Sequence, residues 1–353
     1  MIAIIGGGPS GCYAAYLLAK AGKEVSVFEE HNSIGKPVQC TGIVTSSIND
    51  IVRLRKELIV NKINRARIFS KENSVEVKLK NANLVLDREK FDNYLAEKAK
   101  HAGARIYLSH RFAGNGGKKV VTSKKTIEAE AIVGADGPLS KVAKMNNMFG
   151  KRHFWVGLQA RAKLKNDNAV EFYPNIGTFA WVVPENKDVV RIGLFARKNA
   201  REIFNKFINK KTAKNSIIDY QAGLVPVYNP KQLTQKDHLY LLGDAACQVK
   251  ATTGGGIIQG LTAAQALSDS MIRNRSYEKS WRKRLGKDLW LHLKMRKMMD
   301  KFNERDWQLL VSLFKKNKNK KILEEYDRDY PSRFILKLLL NEPRLVYFAR
   351  RLL

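Results

Sequence analysis

Three glycines follow a short apolar run at the start of the chain, with a spacing suited to holding a phosphate. The stretch IAIIGGGPSG places Gly6, Gly8 and Gly11 between an expected strand and an expected helix. Gly6 permits a tight turn, Gly8 lets a pyrophosphate approach the backbone, and Gly11 lets the helix pack on the strand. A second apolar run, EVSVFEE, ends at Glu29, where a carboxylate can hold ribose hydroxyls. This order of elements predicts a dinucleotide site.

A second glycine-rich segment combines an acid, a thiol and a helix start. It reads GDAACQVKATTGGGI and follows the apolar run HLYLL, which we expect to be a strand delivering Asp244. A carboxylate there can accept a hydrogen bond from the ribityl chain of a flavin. The turn and helix start at Gly255, Gly256 and Ile257 would adjoin the pyrimidine side of the ring, which gains negative charge on reduction. No second glycine fingerprint occurs, so we expect one dinucleotide, and this arrangement favours FAD over a nicotinamide.

The composition fits a globular protein with an unusually basic balance. The chain has 353 residues, is 44% hydrophobic and carries a formal charge of +31. The basic residues are spread along the chain without a helix-turn-helix, zinc-finger or RNA-stacking pattern, so no nucleic-acid partner is expected. A lysine-rich composition and an anionic membrane surface remain as explanations. The last stretch, PSRFILKLLLNEPRLVYFARRLL, suits either ordinary packing or a membrane interface.

Location and metal content follow from what the sequence lacks. No apolar stretch reaches the roughly 18 residues of a membrane span, and no basic segment precedes MIAIIGGG as in a signal peptide. Cys12, Cys40 and Cys247 form no CxxC pair or zinc spacing. The histidines form no hydrolytic triad. We therefore expect a cytoplasmic protein without a metal, with peripheral attachment to the inner face of the cell membrane left open.

Several motifs together resemble one known family. GGGPSG, VGADG at 133–137 and LLGDAA resemble the three FAD signatures of the p-hydroxybenzoate hydroxylase-like flavoproteins. Within that group, IGKPVQCTG, LDREKFDNYLAEKAKHAGA and GDAACQVKATTGGGI resemble the geranylgeranyl reductase family, including the archaeal digeranylgeranylglycerophospholipid reductases. The resemblance covers nearly the whole chain. It departs from the family pattern at Cys247, where a glycine is usual, at Ala251, where a proline is common, and after Cys40, where the glycine pattern is one residue short.

The resemblance implies non-covalent FAD and stepwise reduction of isoprenoid double bonds in membrane lipids or their precursors. It puts Ser10 and Arg88 at the pyrophosphate and Cys40 and Gly42 near the flavin. Without it, Arg88 would be an ordinary exposed helix-start arginine and Asp136 a turn residue. The expected FAD-binding residues are Gly6, Gly8, Pro9, Ser10, Gly11, Glu29, Cys40, Gly42, Arg88, Asp136, Asp244, Gly255, Gly256 and Ile257.

The predicted fold class is α/β. We expect a Rossmann-like FAD-binding domain, an inserted antiparallel-sheet substrate domain that covers the flavin, and a helical C-terminal region. The alternating runs RARIFS, SVEVKLK and DVVRIGLFA indicate that sheet. The predicted boundaries are 1–55, 86–145 and 236–275 for the FAD domain, 56–85 and 146–235 for the substrate domain, and 276–353 for the C-terminal region.

One predicted strand in the substrate domain has an aromatic face. In GTFAWVVP, the period of two puts Phe179, Trp181 and Val183 on one side of a strand that stops at Pro184. Such a face suits the wall of an isoprenoid channel, and we assign these four residues to substrate binding. A buried core strand is the alternative interpretation.

Cys40 is the candidate catalytic residue. An isolated alkene is a poor hydride acceptor, so hydride transfer from a flavin requires a proton at the other carbon. A thiol beside the ring is one candidate donor. Shaping of an apolar pocket and simple packing are the alternatives for Cys40.

The sequence leaves rival functions and partners open. A flavin-dependent monooxygenase or halogenase would use the same motifs to activate oxygen, and a non-catalytic flavoprotein or lipid-binding module would keep FAD for structure. The partners expected are an isoprenoid lipid and an electron donor: ferredoxin, another reduced carrier or NAD(P)H. The number of bonds reduced and the oligomeric state are not fixed by the sequence.

Overall fold

The computed structural model describes residues 1–71 and 73–352. Its strands, in chain order, are β1 (Ile2–Ile5), β2 (Val25–Phe28), β3 (Ile43–Val44), β4 (Ile59–Ser70), β5 (Asn73–Leu86), β6 (Arg105–Tyr107), β7 (Phe112–Gly116), β8 (Lys119–Thr122), β9 (Thr126–Glu128), β10 (Ala131–Gly134), β11 (Phe154–Lys163), β12 (Ala169–Tyr173), β13 (Phe179–Pro184), β14 (Val189–Ala196), β15 (Ile217–Pro226), β16 (Gln235–Lys236) and β17 (Leu239–Leu241).

The α-helices are α1 (Pro9–Lys20), α2 (Arg88–His101), α3 (Lys141–Met145), α4 (Ala200–Lys211), α5 (Ile257–Ile272), α6 (Tyr277–Trp281), α7 (Lys287–Met299), α8 (Glu304–Lys315), α9 (Asn317–Glu325) and α10 (Ile335–Asn341). Segments of 3-10 helix occur at Ser46–Asp50, Lys56–Leu58, Lys214–Ser216, Gly243–Ala246, Pro331–Arg333 and Pro343–Leu352, and a π-helical turn at Arg282–Gly286.

The chain divides into two compact units, each built from separate segments. The first unit holds residues 1–38, 88–153 and 226–290, and the second holds 39–87, 154–225 and the chain from 291 onward. The predicted domain boundaries stay a prediction, because a division by compactness need not coincide with a division by function.

The first unit contains a mostly parallel sheet with the strand order β16-β17-β10-β1-β2-β6. Only β16 runs antiparallel, on the edge beside β17. The residues of β1, β2 and β10 are all buried, which explains their continuous apolar sequences. Apolar residues of β1, β10 and β17 share a core cluster with those of β7 and β8. Since parallel strands end at one edge, the loops after β1, β10 and β17 meet there.

The second unit contains an eight-stranded sheet with the order β15-β11-β14-β13-β12-β4-β5-β3. The β12–β4 pair is parallel, whereas the β11–β14, β14–β13, β13–β12, β4–β5 and β5–β3 pairs are antiparallel. The central strand β13 is buried on both faces: Ala180 and Val182 pack in one cluster with Phe204 and Phe207 of α4, and the alternate residues pack in another. The prediction of an antiparallel sheet is confirmed, as is the end of β13 at Pro184.

The C-terminal part is helical, as predicted. Ser276 caps α6, and Asn303 and Asp306 form a capping box at the start of α8. Helices α8 and α9 pack against β5 within the second unit. The predicted α/β class with an inserted sheet and a helical C-terminal region is therefore confirmed. Within residues 1–71 and 73–352, no helix has both the length and the apolar character needed to span a membrane.

Candidate functional site

The first glycine loop has the shape expected of a phosphate-binding turn. Gly6 has φ of 106°, and a Cβ there would lie 2.3 Å from the carbonyl oxygen of Ala135, so only glycine fits. A Cβ at Gly11 would lie 2.1 Å from the Gly6 carbonyl oxygen. At Gly8, by contrast, no heavy atom lies within 4 Å of the Cβ position. The loop is thus closed by packing at both ends and open in the middle.

The start of α1 leaves backbone donors available at that open position. Gly8 is the N-cap and provides no side chain to bond the first N–H groups, and Pro9 occupies the first helical turn. Free N–H groups and the helix dipole at an uncapped N-terminus form a favourable environment for a phosphate. The open space beside Gly8 therefore fits the pyrophosphate of a dinucleotide.

Glu29 lies directly after β2, and its carboxylate is fixed by two neighbours. Its Oε2 accepts a hydrogen bond of 2.7 Å from the N–H of Gly7. Its Oε1 accepts one of 3.0 Å from the N–H of His31 and lies 2.6 Å from Nδ1 of that ring. Sequence reasoning gave His31 no role, and only its position two residues after Glu29 could have indicated the contact.

Ser10 lies where three motif segments pack together. A Cβ at Gly260 would be 2.2 Å from the Ser10 Oγ, and one at Gly243 would be 2.7 Å away. Gly243 also has φ of 63°. The hydroxyl thus lies against α5 and the turn after β17, and its role at a pyrophosphate stays a prediction.

Asp244 adjoins the start of α5. A Cβ at Gly256 would lie 3.2 Å from Asp244 Oδ1, and Gly256 is the N-cap of α5 without a side-chain hydrogen bond to the helix. Burial raises the pKa of Asp244 to about 6, opposed by the charges of Arg88 and Arg152. Within the described ranges, no side chain or backbone group donates a hydrogen bond to this carboxylate. Acceptor oxygens beside uncapped N–H groups suit a ribityl hydroxyl and a flavin ring.

Arg88 begins α2 and forms a fork with Asp92. Its Nε lies 3.1 Å from Asp92 Oδ1, and its Nη2 lies 2.9 Å from Oδ2. The two side chains are only 13% and 7% exposed, so the alternative of an exposed helix-start arginine is wrong. Burial raises the pKa of Asp92, and the guanidinium of Arg88 is the main opposing influence.

Asp136 has a local structural contact at the end of β10. Its Oδ2 accepts a hydrogen bond of 3.0 Å from the N–H of Val142, at the start of α3. Burial raises the pKa of this carboxyl, and hydrogen bonds oppose the rise. Asp136 thus makes a local contact within the turn, and a direct contact with a flavin stays a prediction.

Cys40 and Gly42 belong to the second unit. The Gly42 N–H donates to the Cys40 Sγ over 3.3 Å, and Gly42 has φ of 72°. Between them, the Thr41 hydroxyl donates to Gln159 Oε1 over 3.0 Å, and the Thr41 carbonyl oxygen accepts from Arg191 Nη1 over 2.5 Å. The segment is thus fixed to β11 and β14, while the Cys40 side chain remains partly exposed.

The aromatic face of β13 is connected to the same segment. The Trp181 indole N–H donates to Gln159 Oε1 over 3.0 Å, which also receives the Thr41 hydroxyl. Phe179, Trp181 and Val183 are 9%, 4% and 0% exposed and share one apolar cluster, as the period of two predicts. Each is part of the core of the second unit, and contact with a substrate stays a prediction.

The predicted site residues thus fall into two groups. The first unit brings together the glycine loop, Glu29, Arg88, the Asp136 turn and the Asp244 to Ile257 segment. The second unit holds Cys40, Gly42 and the β13 residues. The open backbone at Gly8, the two uncapped helix starts and the acceptor carboxylates match the phosphates, ring and hydroxyls of FAD. This fold and this donor set define a flavoprotein.

Comparison with known proteins agrees that the chain is a flavoprotein and identifies its family. The model of a family described as an FAD binding domain matches residues 1–273. The digeranylgeranylglycerophospholipid reductase 2 of Methanothermobacter thermautotrophicus is 31% identical over 396 residues, covering 100% of this chain and 99% of the relative. The chain therefore belongs to the geranylgeranyl reductase family of FAD-dependent oxidoreductases. The predictions of that family, of FAD and of an oxidoreductase are confirmed.

Solved structures show the same fold. A geranylgeranyl bacteriochlorophyll reductase-like protein from Thermoplasma acidophilum has a TM-score of 0.82 at 22% identity, over 100% of this chain and 98% of that chain. A flavin-dependent halogenase has a TM-score of 0.70 at 16% identity, over 96% and 76%. Because reductase and halogenase share the architecture, the fold alone does not decide between their chemistries.

Proposed function

We propose that this protein saturates the double bonds of geranylgeranyl chains on membrane glycerophospholipids or their precursors. One observation carries the proposal: over its full length the chain is similar to a relative named as a digeranylgeranylglycerophospholipid reductase. The basic character of the chain, with a formal charge of +31, suits a substrate with an anionic headgroup. An apolar aromatic cluster on β13 suits its hydrocarbon chains.

Reduced FAD would supply a hydride equivalent, and the protein must supply the proton. Saturation of one double bond adds a hydride to one carbon and a proton to the other, and an external reduced carrier returns two electrons to the flavin. The candidate donors are ferredoxin, another reduced carrier and NAD(P)H. A group that delivers the proton as charge develops accelerates such a reaction by about 100-fold or more.

Cys40 is the residue we assign to that proton. Its Sγ accepts the Gly42 N–H, which fixes the sulfur while leaving the thiol proton unused by this contact. Gln159 Oε1 accepts hydrogen bonds from Thr41, which follows Cys40 in the chain, and from Trp181 of the apolar cluster. The same side chain therefore fixes both the Cys40 segment and the cluster. We retain Phe179, Trp181, Val183 and Pro184 as the strand that shapes the apolar pocket.

The direct test is anaerobic turnover with dithionite as the reductant. Protein loaded with FAD is incubated with a geranylgeranyl phospholipid, and the lipid mass is read afterwards. A gain of two mass units for each reduced bond supports the proposal. No saturation in the anaerobic sample, together with hydroxylated or halogenated product in a parallel incubation in air, would contradict it and favour the monooxygenase and halogenase alternatives. FAD binding without any turnover would favour a non-catalytic flavoprotein.

The Cys40→Ala variant tests the proton donor. We expect normal FAD content and saturation slower by about 100-fold, because general acid catalysis is lost. Cys12→Ala is the matched control, since Cys12 is buried in α1 and its thiol donates to the Gly7 carbonyl over 3.1 Å. Unchanged turnover in Cys40→Ala would exclude a chemical role for Cys40 and leave it a packing residue.

We also propose that the C-terminal segment attaches the protein to an anionic membrane surface. Residues 331–352 contain one acid, Glu342, which is buried and pairs with Lys316 and Arg344. Large apolar side chains are nevertheless exposed along the segment: Leu336, Leu340, Val346, Tyr347 and Leu352. They alternate with the basic residues Arg333, Lys337, Arg344 and Arg350. Exposed apolar groups within a basic segment fit the interface of an anionic bilayer.

Vesicle co-sedimentation tests this attachment. The Leu336→Ser and Leu340→Ser replacements alter side chains that are 67% and 73% exposed, so they should leave folding intact. We expect the double variant to lose binding to vesicles containing anionic lipid. Ile272→Ser is the matched control, because Ile272 is 47% exposed but lies in α5. Equal binding to neutral and anionic vesicles would contradict the charge argument.

A further inference from the structure

Arg152 lies outside every sequence motif, yet it connects two motif loops of the first unit. Its Nη1 donates to the Pro138 carbonyl over 3.1 Å, in the loop after β10. Its Nη2 donates to the Ala245 carbonyl over 2.7 Å, in the turn after β17. Its Nε donates to the Phe149 carbonyl over 2.8 Å. One guanidinium therefore spans the loops that carry Asp136 and Asp244.

The hydrogen bonds of the Arg152 guanidinium all go to neutral carbonyl groups. Throughout residues 1–71 and 73–352, no carboxylate lies within ion-pair distance of this guanidinium, and the centroid of the Phe149 ring lies 4.1 Å from its central carbon. Burial lowers its pKa, and the neighbouring Cys247, Asp136 and Asp244 oppose that lowering. An arginine stays protonated in proteins, so this site holds a fixed positive charge.

We propose that Arg152 is a positioning residue of the flavin site, which holds the loop after β10 against the turn after β17 and places a positive charge facing Asp244. Only the planar fork of an arginine can donate to three separate carbonyl groups in fixed geometry. The inference rests on FAD binding and not on the identity of the lipid, so its failure and that of the proposed lipid substrate are distinguishable.

The surroundings of Asp244 determine what Arg152 contributes. Arg88 on α2 and Arg152 both favour the ionised carboxyl, whereas burial disfavours it and raises the pKa to about 6. Burial also raises the pKa of Cys247 to about 11, so that thiol is neutral near pH 7. Lys250 is buried in the same loop, and the charge of Asp136 raises the pKa of Arg152. If FAD binds to the ionised carboxylate of Asp244, its affinity should fall as the pH falls through about 6, because the carboxylate is then protonated.

Two variants separate the positioning effect from the charge. Arg152→Lys keeps the positive charge, Arg152→Gln removes it, and neither can reproduce the three-carbonyl fork. FAD binding to FAD-free protein is measured by quenching of flavin fluorescence from pH 5 to pH 8, without any lipid. Arg111→Gln is the matched control, because Arg111 belongs to the first unit and its side chain is 75% exposed. Asp244→Asn identifies the titrating group.

We expect both variants to bind FAD about tenfold more weakly, the loss typical of a hydrogen bond from a charged group. The midpoint of the pH profile of FAD affinity should move upward in Arg152→Gln and remain near the wild-type value in Arg152→Lys. In Asp244→Asn the profile should show no such midpoint. Wild-type affinity in Arg152→Lys would overturn the positioning role, even if Arg152→Gln failed to fold. Equal midpoints in the Lys and Gln variants would overturn the role of the charge.

Discussion

Gly8→Ala should separate FAD binding from folding. The residue has φ of −71° and ψ of 178°, which alanine adopts without strain, and no heavy atom lies within 4 Å of its Cβ position. Reduced freedom of the unfolded chain stabilises such a replacement by about 0.4–1 kcal/mol. Loss of a glycine N-cap destabilises by a similar amount, about 0.5–1 kcal/mol. We therefore expect the free energy of unfolding of the FAD-free protein to be nearly unchanged.

The same methyl group should weaken FAD binding strongly. It would fill the open space beside the first N–H groups of α1, where we place the pyrophosphate. Losing one hydrogen bond between a backbone N–H and a charged phosphate corresponds to about 1.5–3 kcal/mol, which is roughly 10- to 150-fold in the dissociation constant.

Denaturant unfolding and flavin fluorescence quenching, on the same FAD-free preparation, measure the two quantities for Gly8→Ala. Gly116→Ala is the matched control, because its Cβ position is also open but lies in the β7–β8 hairpin. Wild-type FAD affinity in Gly8→Ala would refute the assignment of the pyrophosphate to this loop. A large loss of stability would refute the structural argument that the site is open.

Two further results are expected. The folded pKa of Asp244, about 6, lies above its ordinary value of 3.8, so the folded protein retains a proton that the unfolded chain loses. Hence the free energy of unfolding of the FAD-free protein should fall as the pH rises between these values. Denaturant titration at several pH values measures this dependence, and Asp244→Asn should remove it. The same variant should weaken FAD binding. Gly193→Ala would place a Cβ 2.5 Å from the Trp181 ring and 2.8 Å from the Leu158 carbonyl oxygen. It should destabilise the protein by about 1–3 kcal/mol in a thermal or denaturant melt, and wild-type stability would contradict the tight packing of β13 on β14.

Local elements of the fold could be read from the sequence because short-range patterns encode them. The strand, glycine loop and helix at the start of the chain, the helix beginning at Arg88 and the strand ending at Pro184 appear as predicted. In each case the decisive signals lie within a few residues: glycine at a turn, apolar periodicity, and a proline at a strand end. The cofactor class followed from three such patterns in the right order.

Contacts between distant segments were decided only by the tertiary structure. Ser10 meets Gly243 and Gly260, and Arg152 reaches Ala245, because the sheet order brings the ends of β1, β10 and β17 to one edge. No local pattern predicts such neighbours. Burial behaves in the same way: Asp244 acquires its raised pKa from the protein packed around it. Sequence therefore determined the elements and the cofactor, whereas packing determined which side chains support the site, since packing depends on residues far apart in the chain.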